Sequence, residues 1–195
     1  MRIKIFLIKL IMKNSKIQGE LVENRIIIHN IENSRHLFGN GYYGKPLGIP
    51  KPKGINFESP LILDLIESYY LIQKGELQIT LNEKILPLKD LKIICKKQYD
   101  KFDSKYVVFQ NLRNQGYIVS PGIKFGCDFA VYERGPGIDH APFLVQVLTR
   151  EEQITASAIV LAGRLATTVK KQFIIAIPRL RDRTVEFIGF EWWRA

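Results

Sequence analysis

Strand-like and helix-like segments follow one another along this chain without regular strand–helix–strand alternation, and that order points to an α+β architecture. Residues 16–31 read as a hairpin turning at Glu23-Asn24. Gly39, Gly41, Gly44, Gly48 and Gly54, with Pro46, Pro50 and Pro52, then break up residues 38–57, which also carry Lys45, Lys51 and Lys53. Such a stretch predicts a long loop, and a loop of that length inside a compact domain is usually functional or disordered. Ser59-Pro60 predicts the cap of a helix over 61–74, with Gly75 just past its end. A strand near 77–81 and a helix near 88–98 complete the first half. Polar residues of mixed charge fill 98–104, which sets the expected boundary between domains 1–101 and 102–195.

The second half opens with a helix at about 104–115, stopped by Gly116, and a strand at 117–120. Residues 125–132 alternate: Phe125, Cys127, Phe129 and Val131 point one way, Asp128, Ala130 and Tyr132 the other. A Gly-Pro-Gly loop leads to a strand at 143–148 and a helix over 152–169. A strand at 172–177, a basic turn at 179–183 and a strand at 184–192 finish the chain. The expected fold is therefore two small mixed α/β domains.

Charge bears on the partner. The 195 residues carry 29 Lys and Arg against 19 Asp and Glu, a formal net charge of +10. The excess is dispersed: residues 1–100 hold 16 basic and 10 acidic side chains, residues 101–195 hold 13 and 9. A dispersed positive surface suits a polyanion, because each neutralised phosphate releases counterions; solubility charge is the plain alternative. At 46% hydrophobic, the chain has the means to bury a core. Cys95 and Cys127 lie in apolar contexts without close pairing, which predicts buried, reduced thiols in a cytoplasmic protein. Residues 3–12 are apolar, but Lys4 and Lys9 interrupt them, so a strand is expected there and no membrane span. Met12 stands as an alternative first residue.

Three histidines are present. His29 and His36 fit structural roles, whereas His140 sits in the small, rigid loop Gly135-Pro136-Gly137-Ile138-Asp139-His140-Ala141-Pro142, where reactive side chains are commonly displayed. Tyr132 closes the strand before that loop, and Lys171 is expected to end the helix that follows. A Tyr, a His and a Lys suit cleavage of RNA by its own 2′-hydroxyl. One group takes the 2′-OH proton, another protonates the 5′-oxygen, and a cation offsets the charge gathering on phosphorus. None of these roles needs a metal. Each residue also has an ordinary structural role open to it.

Several motifs now add up. Residues 106–177 contain Asn111-Leu112-Arg113, Gly116-Tyr117-Ile118-Val119, Lys124-Phe125-Gly126-Cys127-Asp128-Phe129, Val131-Tyr132, Asp139-His140-Ala141-Pro142, Gly163-Arg164 and Val169-Lys170-Lys171. This run resembles the catalytic domain of archaeal tRNA-splicing endonucleases. Phe38-Gly39-Asn40-Gly41-Tyr42-Tyr43-Gly44-Lys45, with Pro50-Lys51-Pro52-Lys53, is similar to the long loop of crenarchaeal catalytic subunits. The resemblance covers about residues 16–193. It implies a nuclease domain with a central mixed sheet flanked by helices, restriction-endonuclease-like in layout.

It also implies roles. Tyr132 would be the general base, His140 the general acid and Lys171 the stabiliser of the transition state, with Lys170 the neighbour to be told apart from it. Products would carry 2′,3′-cyclic phosphate and 5′-hydroxyl ends, and no cofactor is implied. A free tyrosine ionises near pH ~10, so such a base calls for positive charge nearby. Arg164 and Trp192 match the pair that grips a flipped base of the RNA; a C-terminal hydrophobic anchor is the other reading of Trp192. Arg164, Thr168 and Lys171 are spaced to share one helix face. Lys45 is a candidate contact to the RNA backbone, or a solvated loop lysine.

Homotetrameric members carry an acidic loop between the last two strands. Here that segment is Pro178-Arg179-Leu180-Arg181-Asp182-Arg183, mostly basic. The departure favours an α2β2 assembly with a different, structural subunit, acting on bulge-helix-bulge precursor tRNA. Three other readings stand beside this one: a non-catalytic subunit of the same assembly, a metal-dependent nuclease and a plain RNA-binding protein. The first would lack the triad. The second needs clustered carboxylates, and Gln146-Val147-Leu148 supplies no partner for Asp128.

Overall fold

The structure is a computed structural model that describes residues 16–50, 52, 54–138 and 141–190. The strand expected at 3–12, together with Lys51, Lys53, His140 and Trp192, lies outside the described residues. The chain forms two compact units, residues 1–95 and 96–195, where the sequence placed the change within 98–104. Each unit has its own mixed sheet, and the class is α+β.

In the first unit, β1 (Ile17–Val22) and β2 (Arg25–Ile28) form the hairpin, with Glu23 in a left-handed conformation at the turn. Helix α1 (Ile31–Gly41) follows, its first turn capped by the Asn30 side chain, which accepts from the Asn33 amide. The loop expected from residue 38 thus begins only at 42, four residues late. Leu37 and Phe38 are buried, and Phe38 meets Phe57 edge-on, so packing carries the helix through Gly39 to Gly41 despite their poor propensity.

A second correction concerns residues 61–63. They were expected to open a helix, but they form β4 (Leu61–Leu63), antiparallel to β2 and to the short β3 (Lys45–Pro46). Leu61 and Leu63 are fully buried while Ile62 is not, the period of a strand. The helix α2 (Leu65–Gln73) starts only after Asp64, whose side chain accepts from Ile66 while Glu67 accepts from the Asp64 amide. The strand β5 (Leu77–Leu81) runs parallel to β1; β6 (Lys84–Ile85) pairs with β5, and helix α3 (Leu88–Gln98) closes the first half.

After the end of α3, the second unit continues with α4 (Phe102–Asn114). Its sheet has the order β11-β10-β9-β8-β7. In chain order these are β7 (Ile118–Pro121), β8 (Phe129–Tyr132), β9 (Phe143–Val147), β10 (Gln172–Arg179) and β11 (Thr184–Gly189). Only β9 and β10 are parallel, joined by helix α5 (Ala156–Thr168). The strand predicted from 125 begins only at Phe129. Before it, Ile123–Phe125 make a 3-10 turn, and Gly126 is left-handed. β8 lies inside the sheet with both faces covered: Phe129 meets Phe109 of α4, and Ala130 joins a core with Leu144, Phe173, Ile175 and Ala166 of α5. The helix expected from 152 starts at 156, because Thr155 caps it and the Glu152 carboxylate instead accepts from the Thr149 amide.

Candidate active site

Two of the candidate residues stand at strand ends, Tyr132 at the end of β8 and Lys171 just before β10 begins. Tyr132 is the last residue of β8, paired across the sheet with Ile118, and packs against the core of Cys127, Ala130, Ala141, Leu144, Ala166, Phe173 and Ile175. Ala141, the residue after His140, belongs to that same core. Its carbonyl accepts a hydrogen bond of 2.6 Å from Lys171 Nζ. The backbone beside them is tied as well, since the Gln172 amide donates to the Pro142 carbonyl at 2.8 Å and Gln172 opens the parallel register opposite Phe143. Lys171 is thereby fixed against the chain that leaves the His140 position. Its Nζ also lies 5.3 Å from the centre of the Phe125 ring.

The helix end explains how Lys171 arrives there. α5 stops at Thr168, and Lys170 takes a left-handed conformation with φ 54°. The Lys171 amide donates to Ala166 and the Lys170 amide to Thr167, the paired bonds of a Schellman stop. Lys171 is therefore beyond the helix, which corrects the expectation that it ends the helix on one face with Arg164 and Thr168. Arg164 stays on the exposed side of α5. The left-handed Lys170 separates the two lysines by geometry: 170 closes the helix and 171 turns toward Ala141.

Other sequence candidates are placed differently. Asp128 has both oxygens engaged: Lys105 Nζ lies 2.8 Å from one, while the Gln146 side chain and the Val147 amide donate to the other at 2.8 and 2.7 Å. It fastens the start of β8 to α4 and β9. Among the described residues, no three His, Cys, Asp or Glu side chains gather as a metal would require. Cys127 borders the site, but burial and then the Asp128 charge push its thiol up to about 11, so it stays protonated and unreactive near neutrality.

Lys45 belongs to the first unit, exposed on β3. Gly44 before it has φ +69°, and a Cβ there would stand 2.6 Å from the Ile62 carbonyl oxygen, so no side chain fits. The Gly44 amide donates to the buried Glu67 carboxylate at 3.1 Å. Sequence reasoning assigned no role to two participants, Phe125 and the Ala141 carbonyl. The first stood in a quoted motif but was read as a strand residue; a backbone carbonyl has no residue-type signal at all.

Comparison with known proteins fits this layout. The family model for the tRNA intron endonuclease N-terminal domain matches residues 17–92, and that for its catalytic C-terminal domain matches residues 102–187. A tRNA-splicing endonuclease of Hyperthermus butylicus is 42% identical over 177 residues, covering 90% of this chain and 98% of the relative. One of Sulfurisphaera tokodaii is 45% identical over 175 residues, 89% and 97% of the two chains. One of Saccharolobus solfataricus is 38% identical over 178 residues, 90% and 98%. Fold and matched domains together define an endoribonuclease. The chain belongs to the tRNA intron endonuclease family. No helix among the described residues is long and apolar enough to cross a membrane.

Proposed function

We propose that this chain is the catalytic subunit of a tRNA-splicing endonuclease that cuts precursor tRNA at bulge-helix-bulge junctions without a metal ion. The observation that carries the reading is the Lys171 ammonium bonded to the carbonyl of Ala141, one residue past His140, beside the core on which Tyr132 packs. Tyr132, as phenolate, takes the proton of the 2′-hydroxyl, and the 2′-oxygen attacks phosphorus. The bond to the 5′-oxygen breaks as His140, as imidazolium, gives that oxygen a proton. Lys171 offsets the negative charge on the phosphoryl oxygens. The products are a 2′,3′-cyclic phosphate and a 5′-hydroxyl, and the two proton carriers reset through solvent.

Arg164 and Trp192 are the proposed grip on an unpaired base, a contact worth about 1–3 kcal/mol per base. Lys45 is the proposed contact to the RNA backbone. The basic β10–β11 turn supports pairing with a different, structural subunit in an α2β2 assembly. Two of its arginines are already engaged within this unit: Arg179 with Glu186, and Arg183 with Gln110 at 2.5 Å and over the Tyr106 ring.

The test is cleavage of a bulge-helix-bulge RNA in excess EDTA, with and without a candidate partner subunit, comparing wild type with His140→Ala. Cyclic-phosphate ends in EDTA, with the variant slower by about 10²–10⁴-fold, are expected. Cutting that requires added metal, or that persists at full rate without His140, overturns the mechanism. Cutting by the chain alone overturns the heteromeric assembly.

A further inference from the structure

We propose that the 3-10 turn Ile123–Phe125 is a ledge on which the RNA strand rests beside the cut. Lys124 meets a backbone phosphate other than the reacting one, and Ile123 packs against a ribose or an unpaired base. The inference rests on the reading of Lys171 as the group that meets the reacting phosphate.

The third residue of the turn fixes its place. Phe125 packs against the core of Ala141, Ala166 and Phe173, the same core on which Tyr132 packs. Its ring centre lies 5.3 Å from Lys171 Nζ. Gly126 comes next, and a Cβ there would stand 3.9 Å from a methyl of Leu165 on α5. The turn therefore lies on the α5 side of the sheet, with Lys124 one residue from the ring that touches the Lys171 ammonium. Stacked nucleotides advance by about 3.4 Å each, so a strand with its phosphate at Lys171 brings the next few nucleotides level with the turn.

The other two residues face solvent. Ile123 is 82% exposed, and Lys124 is exposed as well. Many cations of this unit are tied within it: Lys101 to Glu152, Lys105 to Asp128, Arg150 and Arg179 to Glu186, and Arg183 to Gln110. Among the described residues, the Lys124 ammonium has no hydrogen bond and no ion pair. A lysine is a point charge on a flexible stem, suited to a phosphate at varied angles. An unengaged cation beside the place of a reacting phosphate selects a polyanionic strand as the occupant, and the neighbouring isoleucine adds apolar contact independent of base identity.

The ledge is preformed. The Phe125 amide donates to the Gly122 carbonyl at 2.8 Å, and the Gly126 amide to Ile123 at 3.0 Å. The Gly122 amide donates in turn to the Asp128 carbonyl at 2.9 Å. A Cβ on Gly122 would lie 2.6 Å from Cys127 Sγ and 2.8 Å from the backbone of Phe129, so the turn is wedged against the start of β8. A backbone already held in this way loses little freedom when it binds.

The test uses the full chain, assembled as required for activity. It measures binding, in EDTA across a range of salt, to a bulge-helix-bulge RNA with 2′-deoxy sugars at the cleavage nucleotides. Lys124→Gln is expected to weaken binding about 2- to 5-fold at low salt. It is also expected to flatten the slope of log Kd against log salt by about 0.7–0.9 per contact. Lys124→Arg is expected to keep the wild-type slope. Ile123→Ala is expected to weaken binding about 2- to 10-fold at every salt and leave the slope alone. Both side chains are exposed, so urea midpoints and the saturated single-turnover rate on all-ribose RNA are expected to stay near wild type.

An unchanged slope with Lys124→Gln, or unchanged affinity with Ile123→Ala, overturns the ledge. So does weaker subunit association in place of weaker RNA binding, which would give the turn to a protein partner. Lys171→Ala separates this inference from the reading beneath it. If Lys171→Ala cleaves all-ribose RNA at the wild-type rate, the role of Lys171 fails and the ledge falls with it. If Lys171→Ala is slow and the Lys124→Gln slope is unchanged, only the ledge fails.

Discussion

The two units anchor their special residues by different means. In the first, side chains do the fastening: the Glu67 carboxylate accepts from Gly44 and Asp64, and Arg35 donates to the Phe57 carbonyl and pairs with Glu58. In the second, side chains such as Asp128 fasten strands too, but around Lys171 the backbone sets the course: Gln172 pairs with Pro142, and a Schellman stop aims the chain. A side-chain anchor is lost with one substitution. A backbone anchor outlasts the residue it presents, so chemistry and architecture separate more cleanly in the second unit.

The sharpest way to break that contrast is Lys171→Ala. Single-turnover cleavage is expected to fall by about 10²–10³-fold while the urea midpoint stays close to wild type. A large loss of stability would show that the lysine side chain, and not the backbone around it, holds the strands together. Glu67→Ala is expected to do the opposite, leaving the Gly44 and Asp64 amides without a buried acceptor at a cost of about 1.5–3 kcal/mol in urea denaturation. No change in midpoint would remove the side-chain half of the comparison.

Gly122→Ala sharpens the backbone half. The added methyl must displace the turn or β8, with an expected cost of about 1–3 kcal/mol by thermal melting and a slower cut. The smallest effect is expected from Lys170→Gly. Relieving a left-handed lysine should stabilise the chain by up to about 1 kcal/mol, with cleavage unaltered. A destabilised Lys170→Gly would mean that the lysine contributes contacts beyond its conformation.

The same contrast explains what was legible in the sequence. Helix α3 and strand β5 match their expected spans, 88–98 and 77–81, because amphipathic period and local propensity agree there. β4 was misread since Ser59-Pro60 is a sound local cap signal, and only pairing with β2 makes 61–63 extended. The false strand start at 125 has a similar cause. Phe125 and Cys127 fit an alternating pattern, but Gly122 and Gly126 fold them into a turn. Around the candidate site, Tyr132 at a strand end was readable from alternation. The exit of Lys171 from the helix was not, because the left-handed stop is a lysine where glycine would have announced it. His140 stood out by its small, rigid loop, whereas the roles of Arg164 and Trp192 came from motif resemblance.

The parallel pairing of β9 with β10 has a consequence in time. Lys171 and Ala141 are 30 positions apart, with α5 between them, so their bond closes a long chain segment. Helix α5 can form from local contacts within microseconds, whereas register between two parallel strands waits on a costly encounter. A refolding chain is therefore expected to regain helical signal first and cutting ability afterwards. Recovery of cleavage, followed alongside circular dichroism after dilution from urea, would time the closure of these two strands.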